Sequence, residues 1–174
     1  PYEFAYLDGE GFNDYLHDMK IVQKFAELNR RAIAQDIIKA MKFAETESFS
    51  TAHNYIDTDS KILRKGAISA SDGEKIIIPL NMRDGSLICI GKGNEEWNYS
   101  APHGAGRAHS RADTLNMFTL SQYKKTMDGI YSTSISRETL DECPMAYKAP
   151  EEIIAAISPT AEIVERLKPV YNFK

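Results

Sequence analysis

The stretch Ala101–Arg107 contains residue types that can bind a phosphate group and attack it. It reads Ala-Pro-His-Gly-Ala-Gly-Arg, and Ser110 and Arg111 follow just before a predicted helix. Glycines can adopt positive φ angles and bring backbone N–H groups close to an anion. Arg107 can donate two parallel hydrogen bonds to phosphate oxygens, and a neutral His103 ring can act as a nucleophile. The spacing therefore predicts phosphate chemistry centred on His103.

The same residue types also have ordinary structural explanations. A single histidine more often forms structural hydrogen bonds than performs catalysis, and Arg64 and Lys65 can be a solvated pair at the end of a strand. Lys65-Gly66 resembles part of a P-loop, but the full G-x-x-x-x-G-K-[ST] pattern is absent from the sequence. From these residues alone, an enzyme nucleophile and a structural histidine both remain open.

The elements that position this stretch are predicted from hydrophobic periodicity. Residues 13–43 carry apolar side chains at helical spacing, which predicts a long helix, broken at most once. Its apolar stripe, from Leu16 to Met41, is predicted to pack into a core. Three strands with Asp-Gly turn pairs between them are predicted over 61–70, 75–80 and 86–90.

The second half of the sequence predicts a functional loop and a helical end. The loop over 91–106 is rich in glycine and polar residues, and a helix over 111–127 is predicted to end at Asp128-Gly129. A short strand is predicted over 132–136, and two short helices are predicted to begin at Pro150 and at Ser158-Pro159. The whole pattern indicates an α+β fold, with a largely antiparallel sheet flanked by a long N-terminal helix and a helical C-terminal segment.

Composition and charge limit the class of protein. The 174 residues are 43% hydrophobic and 26% charged, which predicts one domain with a hydrophobic core over 1–174. The net charge of −4 argues against a general nucleic-acid coat but permits a local basic site. No apolar run approaches the roughly 18 residues of a membrane span, and no secretory leader is expected at Pro1. Cys89 lies in an apolar run and Cys143 is distant from it, so we expect free thiols and a cytoplasmic location.

Several short motifs occur in an order that resembles the RtcB family, the GTP-dependent tRNA-splicing RNA ligases. The matching pieces are His53-Asn54, Arg64–Ala67, Ala101–Arg107 with Ser110-Arg111, Asp141–Pro144, Ala146–Lys148 and the final Lys174. The resemblance covers nearly the whole sequence. The family's upstream Asp-x-x-Cys, Gly-Asn-His and further histidine segments are absent from it. The resemblance therefore implies the C-terminal portion of a larger ligase domain.

The resemblance implies a specific reaction. His103 would attack the α-phosphate of GTP, expel pyrophosphate and carry GMP. The GMP would pass to an RNA 3′-phosphate, or to one derived from a 2′,3′-cyclic phosphate, and a 5′-hydroxyl RNA end would then displace it. Mn²⁺ would organise the phosphates. The family role is tRNA splicing or RNA repair, and the resemblance also allows an activating protein partner. Without the upstream metal ligands, the isolated chain is expected to be impaired.

The resemblance also implies roles for individual residues. The catalytic group is His103, Arg107 and Lys65, and His53 is implied as a metal ligand. The implied nucleotide contacts are Asn54, Ser86, Ala105, Gly106, Tyr147 and Lys174. A different class of function stays open as an alternative, namely a guanine-nucleotide-binding module or sensor without ligase activity.

Overall fold

The computed structural model describes residues 6–172 and has the α+β architecture that the sequence predicts. The helices are α1 (Gly9–Met41), α2 (Arg111–Met117), α3 (Leu120–Thr126) and α4 (Pro150–Ile157). The strands are β1 (His53–Asp57), β2 (Ile62–Ser69), β3 (Lys75–Asn81), β4 (Gly85–Gly91), β5 (Ser100–Pro102), β6 (Tyr131–Ser132), β7 (Ala161–Leu167) and β8 (Tyr171–Asn172). Among the residues described, no helix is both long and apolar enough to cross a membrane.

The chain forms two compact units. The first runs up to Ser50 and includes Tyr55–Arg64, and the second contains Thr51–Asn54 together with the residues from Lys65 onward. The division falls inside β1 and β2, so both strands contribute residues to each unit. A single domain over 1–174 stays a prediction.

Helix α1 makes up most of the first unit. Its apolar stripe was predicted to be buried, but the structure leaves it without a buried residue. The helix is continuous over 33 residues, none of which is buried, and Phe25 is 69% exposed. Two polar contacts fix α1 within its unit. The Gln23 side-chain oxygen accepts a hydrogen bond from the Ile56 backbone at 2.8 Å, and Lys20 pairs with Asp59 at 3.1 Å. Periodicity correctly predicted the helix, but burial of its apolar stripe also requires a partner element that periodicity does not report.

The second unit is built on the antiparallel sheet β3-β4-β7. Strand β3 faces β4 with Ile76 opposite Cys89 and Ile78 opposite Leu87, and all four side chains are buried. Strand β2 pairs with β5 in a second sheet of order β1-β2-β5. Side chains of both sheets form one hydrophobic core with α4. The three predicted strands are thus present as β2, β3 and β4.

Strand β7 replaces the second of the two short helices predicted near the end of the chain. The prediction of a helix beginning at Ser158-Pro159 is wrong, because Ala161–Leu167 pairs along β4 from Gly91 to Ser86. Strand β4 is buried along most of its length and needs a hydrogen-bonding neighbour on the side opposite β3. This hydrogen-bonding requirement of β4 outweighs the preference of Ser158-Pro159 for a helix start. The strand predicted over 132–136 is also shorter than expected and lies at Tyr131–Ser132.

The predicted helix over 111–127 is interrupted once. Helix α2 ends at Met117, and α3 begins after Thr119. Thr119 and Gln122 form a capping box, in which each side chain bonds the other residue's backbone N–H. This T-x-x-Q signal is visible in the sequence and marks the start of a new helix, so the single-helix prediction is wrong here.

The two cysteines are free, and Cys89 is buried as predicted; Cys143 is buried as well. Cys89 is fully buried in the core, and desolvation raises the pKa of its thiol to about 11. Cys143 belongs to a second cluster beneath α3, with Tyr123, Met127, Leu140 and Ala146.

Gly85 at the start of β4 provides a test of the β4–β7 contact. Its φ is +78°, and a Cβ added there would lie 1.9 Å from the Leu167 carbonyl oxygen. We expect Gly85→Ala to lower the free energy of unfolding by about 3 kcal/mol or more. Gly73 has a similar φ of +74° but has nothing within 4 Å of an added Cβ, so Gly73→Ala should cost about 1 kcal/mol. Equal losses in denaturant unfolding of both variants would contradict the clash.

Candidate active site

His103 directly follows β5 and is held by a carbonyl of β2. Its ring nitrogen Nδ1 lies 2.7 Å from the Gly66 carbonyl oxygen, and its backbone N–H donates to the same oxygen at 3.4 Å. A carbonyl oxygen can only accept, so Nδ1 carries a proton. In the neutral ring the lone pair then belongs to Nε2. The His103 side chain is exposed to solvent, so this nitrogen is available to a ligand.

Gly66 is itself fixed by Asn54. The Asn54 side-chain oxygen accepts a hydrogen bond from the Gly66 N–H at 2.7 Å. Both residues have positive φ angles, +72° for Gly66 and +53° for Asn54, and asparagine is one of the few non-glycine residues that tolerates this region. A hydrogen-bonded series from Asn54 through Gly66 to His103 therefore sets the direction of the imidazole.

His53, next to Asn54, stacks on the His103 ring. The ring centroids are 5.2 Å apart and the planes differ by 4°. This stack brings the predicted metal ligand beside the predicted nucleophile. Within residues 6–172, however, no group of three histidine, cysteine or carboxylate side chains could hold a metal ion. Mn²⁺ requires several N and O ligands, so the described residues do not by themselves make a manganese site.

The loop after His103 is fixed to the end of β3. The Ala105 N–H donates to the Pro79 carbonyl at 3.0 Å, and the Ala105 side chain is buried in the core. Gly104 lies close to the same carbonyl, since a Cβ there would be 3.2 Å from it. Gly106 has φ +70° and is exposed, with nothing within 4 Å of an added Cβ. The loop is thus anchored at Ala105 and open to ligands at Gly106.

Arg107 is directed into the protein. Its Nε donates to the His109 carbonyl at 3.0 Å, and Nη2 donates to the Thr114 hydroxyl and the Asp141 carbonyl. The guanidinium also lies over the Tyr147 ring, 5.3 Å from its centroid. These contacts join the His103 loop to the start of α2 and to the turn Leu140–Glu142. They place a positive charge in the wall of the site and hold it there.

These residues line a cleft of about 710 Å³. His53, His103, Arg107 and Tyr147 contribute to its wall, with Ala105 and Gly106 along its floor. A cleft of this volume is within the range of small-molecule and nucleotide sites. It also has walls that the sequence did not indicate, formed by Met82 and Glu142 among others. Their only sequence signal is proximity to the Asp84-Gly85 turn and to the Asp141–Pro144 motif.

A second groove of about 330 Å³ continues from this cleft, and it contains Ser86. The two share Pro79, Asn81 and Met82, at the end of β3. The groove is also lined by Leu167, the last residue of β7, and by Lys168, Pro169 and Asn172 of the chain that follows β7. Ser86 is therefore displaced from His103 and faces a separate, adjoining space.

The predicted site residues do not all meet in one place. Six of them line the first cleft: His53, His103, Ala105, Gly106, Arg107 and Tyr147. Ser86 lines the groove. Asn54 is connected to His103 indirectly, through its hydrogen bond to Gly66. Lys65 is exposed and precedes Gly66 on β2, and it is not among the residues that line either space in the described part of the chain. Lys174 lies outside the described residues, two positions after Asn172.

Comparison with known proteins shows similarity along nearly the whole chain. A family model described as tRNA-splicing ligase RtcB matches residues 3–174. RNA-splicing ligase RtcB1 of Escherichia coli ATCC 25922 is 33% identical, over 97% of this chain and 46% of the relative. RNA-splicing ligase RtcB of Escherichia coli K12 is 32% identical over the same shares. A tRNA-splicing ligase RtcB of Aeropyrum pernix is 34% identical over 56% of this chain and 22% of its own length. The chain spans about half the length of the first two relatives.

Proposed function

This chain belongs to the RtcB family of tRNA-splicing ligases, and from that membership we propose that it carries the nucleotide-transfer site of an RNA ligase. The proposed reaction joins an RNA 3′-phosphate, or a 2′,3′-cyclic phosphate, to a 5′-hydroxyl end through a histidine–GMP intermediate formed from GTP. The observation that carries this proposal is the His103 ring. Its Nδ1 is bonded to the Gly66 carbonyl, and its Nε2 is free. The proposed role is tRNA splicing or RNA repair in the cytoplasm, where the buried thiols stay reduced.

The first step forms a phosphorus–nitrogen bond. The Nε2 lone pair attacks the α-phosphorus of GTP, and the bond from that phosphorus to the bridging oxygen breaks, so pyrophosphate leaves. The ring becomes positively charged while Nδ1 keeps its proton. The Gly66 carbonyl, 2.7 Å from Nδ1, stabilises this charge through the hydrogen bond. No proton has to leave the histidine during the step.

Two further displacements complete the reaction. A 2′,3′-cyclic phosphate is first opened by water, which breaks the bond from phosphorus to the 2′-oxygen and leaves a 3′-phosphate and a 2′-hydroxyl. An oxygen of the RNA 3′-phosphate attacks the α-phosphorus, the phosphorus–nitrogen bond breaks, and His103 returns to its neutral form. A 5′-hydroxyl then attacks the RNA phosphate, GMP leaves, and the hydroxyl proton passes to solvent. Both steps leave His103 as it began, with Nδ1 protonated toward the Gly66 carbonyl.

The surrounding residues would bind the phosphates and direct the leaving group. We assign Arg107 to charge stabilisation, because its guanidinium is held in the wall of the cleft that contains His103. Lys65 would reach the pyrophosphate from its exposed position within β2, and the Asn54 amide would donate to a phosphate oxygen. Lys65 and Asn54 would supply N–H donors to the anion, and Arg107 would supply positive charge, since its Nε and Nη2 donate to protein oxygens; such groups stabilise phosphoryl transfer.

The adjoining groove would receive the base of the nucleotide. Ala105 and Gly106 line the cleft between the histidine and the wall at Tyr147, and they would follow the ribose and α-phosphate. Ser86 has a hydroxyl in the groove and Tyr147 has an aromatic ring beside the cleft, so both would contact guanine. Lys174, two positions after Asn172 in the sequence, would contact the guanine as well.

Manganese does not fit the described residues alone, so none of the steps above depends on it. His53 would be one ligand, and the others would come from elsewhere in a longer protein. For that reason we expect the 174-residue chain to react slowly on its own. A second candidate is a guanine-nucleotide-binding module or sensor that binds the nucleotide in the same cleft without ligation.

RNA joining tests the proposal directly. The product of the complete reading frame is incubated with GTP, Mn²⁺ and two RNA strands, one ending in a 3′-phosphate and one beginning with a 5′-hydroxyl. We expect a joined strand that requires GTP. A matched strand with a 3′-hydroxyl should not be joined, because it has no phosphate to accept GMP. Reversible GTP binding without joining would contradict the ligase and support the sensor.

A further inference from the structure

The chain that follows β7 is fixed to the rest of its unit at Tyr171 and Asn172. Strand β8 pairs in parallel with β6, with Tyr131 opposite Tyr171. The two tyrosine rings stack with centroids 5.3 Å apart. The Thr133 N–H donates to the Asn172 carbonyl at 3.2 Å. These contacts hold the tail beside the groove that contains Ser86, and Asn172 lines that groove.

The side chain of Asn172 makes a different kind of contact. Its Nδ2 donates to the Met82 carbonyl at 2.8 Å, across 90 positions of sequence. Met82 lines both the His103 cleft and the groove. Its sulfur accepts a hydrogen bond from the Tyr123 hydroxyl at 2.8 Å, and Tyr123 is fully buried. Asn172 is thus bonded to a residue that is itself fixed by the second hydrophobic cluster.

We infer that Asn172 is a positioning residue for the base of the bound nucleotide. Its amide joins the two walls of the groove, Met82 on one side and the tail on the other, and thereby fixes the width of the space that Ser86 faces. This inference rests on the proposed function, because it takes the groove to be the base end of the GTP site. It adds a residue that contacts no phosphate and has no part in the chemical step.

The energetics favour an effect on binding rather than on chemistry. One hydrogen bond to a neutral acceptor accounts for roughly a 2- to 12-fold change in an equilibrium. The residues after β7 are mostly exposed, and Val170 is 89% exposed. Few buried contacts would therefore hold this segment in place once the hydrogen bond of the Asn172 amide is lost. The His103–Gly66 contact involves neither the tail nor Met82. Loss of the Asn172 amide should therefore weaken nucleotide binding and leave the reactivity of His103 unchanged.

Two substitutions in the product of the complete reading frame test the inference. Asn172→Ala removes the amide, and Asn172→Asp keeps its size but replaces the donor with an acceptor. Formation of the GMP–protein bond is measured against GTP concentration. We expect both variants to raise the half-saturating GTP concentration about 5- to 10-fold, with the rate at saturation changed less than about 2-fold. The preference for GTP over ATP should fall by a similar factor.

Val170→Ala is the matched control, since Val170 lies in the same tail but does not line the groove. It should behave like the wild type. The inference is overturned if Asn172→Asp matches the wild type, because the effect would then depend on volume and not on the donor. It is also overturned if the rate at saturation falls as much as the affinity. Absence of GMP transfer in the wild type would instead contradict the proposed function itself.

Discussion

Replacement of His103 by alanine is expected to remove GMP transfer to the protein, with a rate loss of roughly 10³-fold or more. The reason is that Nε2 of His103 is the nitrogen that would form the bond to phosphorus. No neighbouring group takes over easily. His53 stacks parallel to His103 at 5.2 Å and so lies above the ring face, not along the direction of attack. The measurement is incorporation of label from α-labelled GTP, followed by denaturing electrophoresis.

His17→Ala is the control for this substitution. His17 is an exposed histidine on α1, and its loss should leave labelling unchanged. The label should also be acid-labile and base-stable, as expected for a bond between phosphorus and a histidine nitrogen. Equal labelling of His103→Ala and the wild type would show that another residue is the nucleophile.

Replacement of Arg107 is expected to affect both stability and activity. Arg107→Ala removes hydrogen bonds to His109, Thr114 and Asp141, and leaves these buried or half-buried acceptors without that donor. We expect a loss of about 2–4 kcal/mol in the free energy of unfolding. The loop that carries His103 would also lose its attachment to α2, and a small misplacement of a reacting group costs about 100-fold in rate.

Arg107→Lys separates anchoring from charge. Lysine keeps the positive charge but lacks the planar fork that reaches three acceptors, so it should restore little stability or labelling. Arg137→Ala removes an exposed arginine and should be neutral by both measurements. If Arg107→Lys labels and unfolds like the wild type, the guanidinium acts only as a charge and the anchoring role is contradicted.

Local patterns predicted the sheet and the His103 loop because these depend on residues close in sequence. The Asp-Gly pairs at 72–73 and 84–85 correctly separated β2, β3 and β4. The Gly-Ala-Gly segment correctly indicated a loop with a positive φ, which occurs at Gly106. The capping box at Thr119 was available in the same way, and it would have divided the predicted helix into α2 and α3.

Contacts between residues far apart in the sequence could not be predicted from local sequence patterns. Nothing in the sequence indicates that the Gly66 carbonyl fixes the His103 tautomer, or that Asn172 bonds to Met82, because these pairs meet only in the folded chain. Strand β7 was missed because its formation depends on the open edge of β4. The exposed stripe of α1 shows the same limit, since periodicity describes one element without its neighbour.

The most direct test of the account is to determine which nitrogen of His103 carries GMP. The GMP–protein of the complete reading frame is prepared with GTP and Mn²⁺, digested at alkaline pH, and the labelled peptide is examined by phosphorus NMR and mass spectrometry. The account predicts GMP on Nε2 of His103, because Nδ1 donates to the Gly66 carbonyl. GMP on Nδ1, or on any other residue, would contradict it.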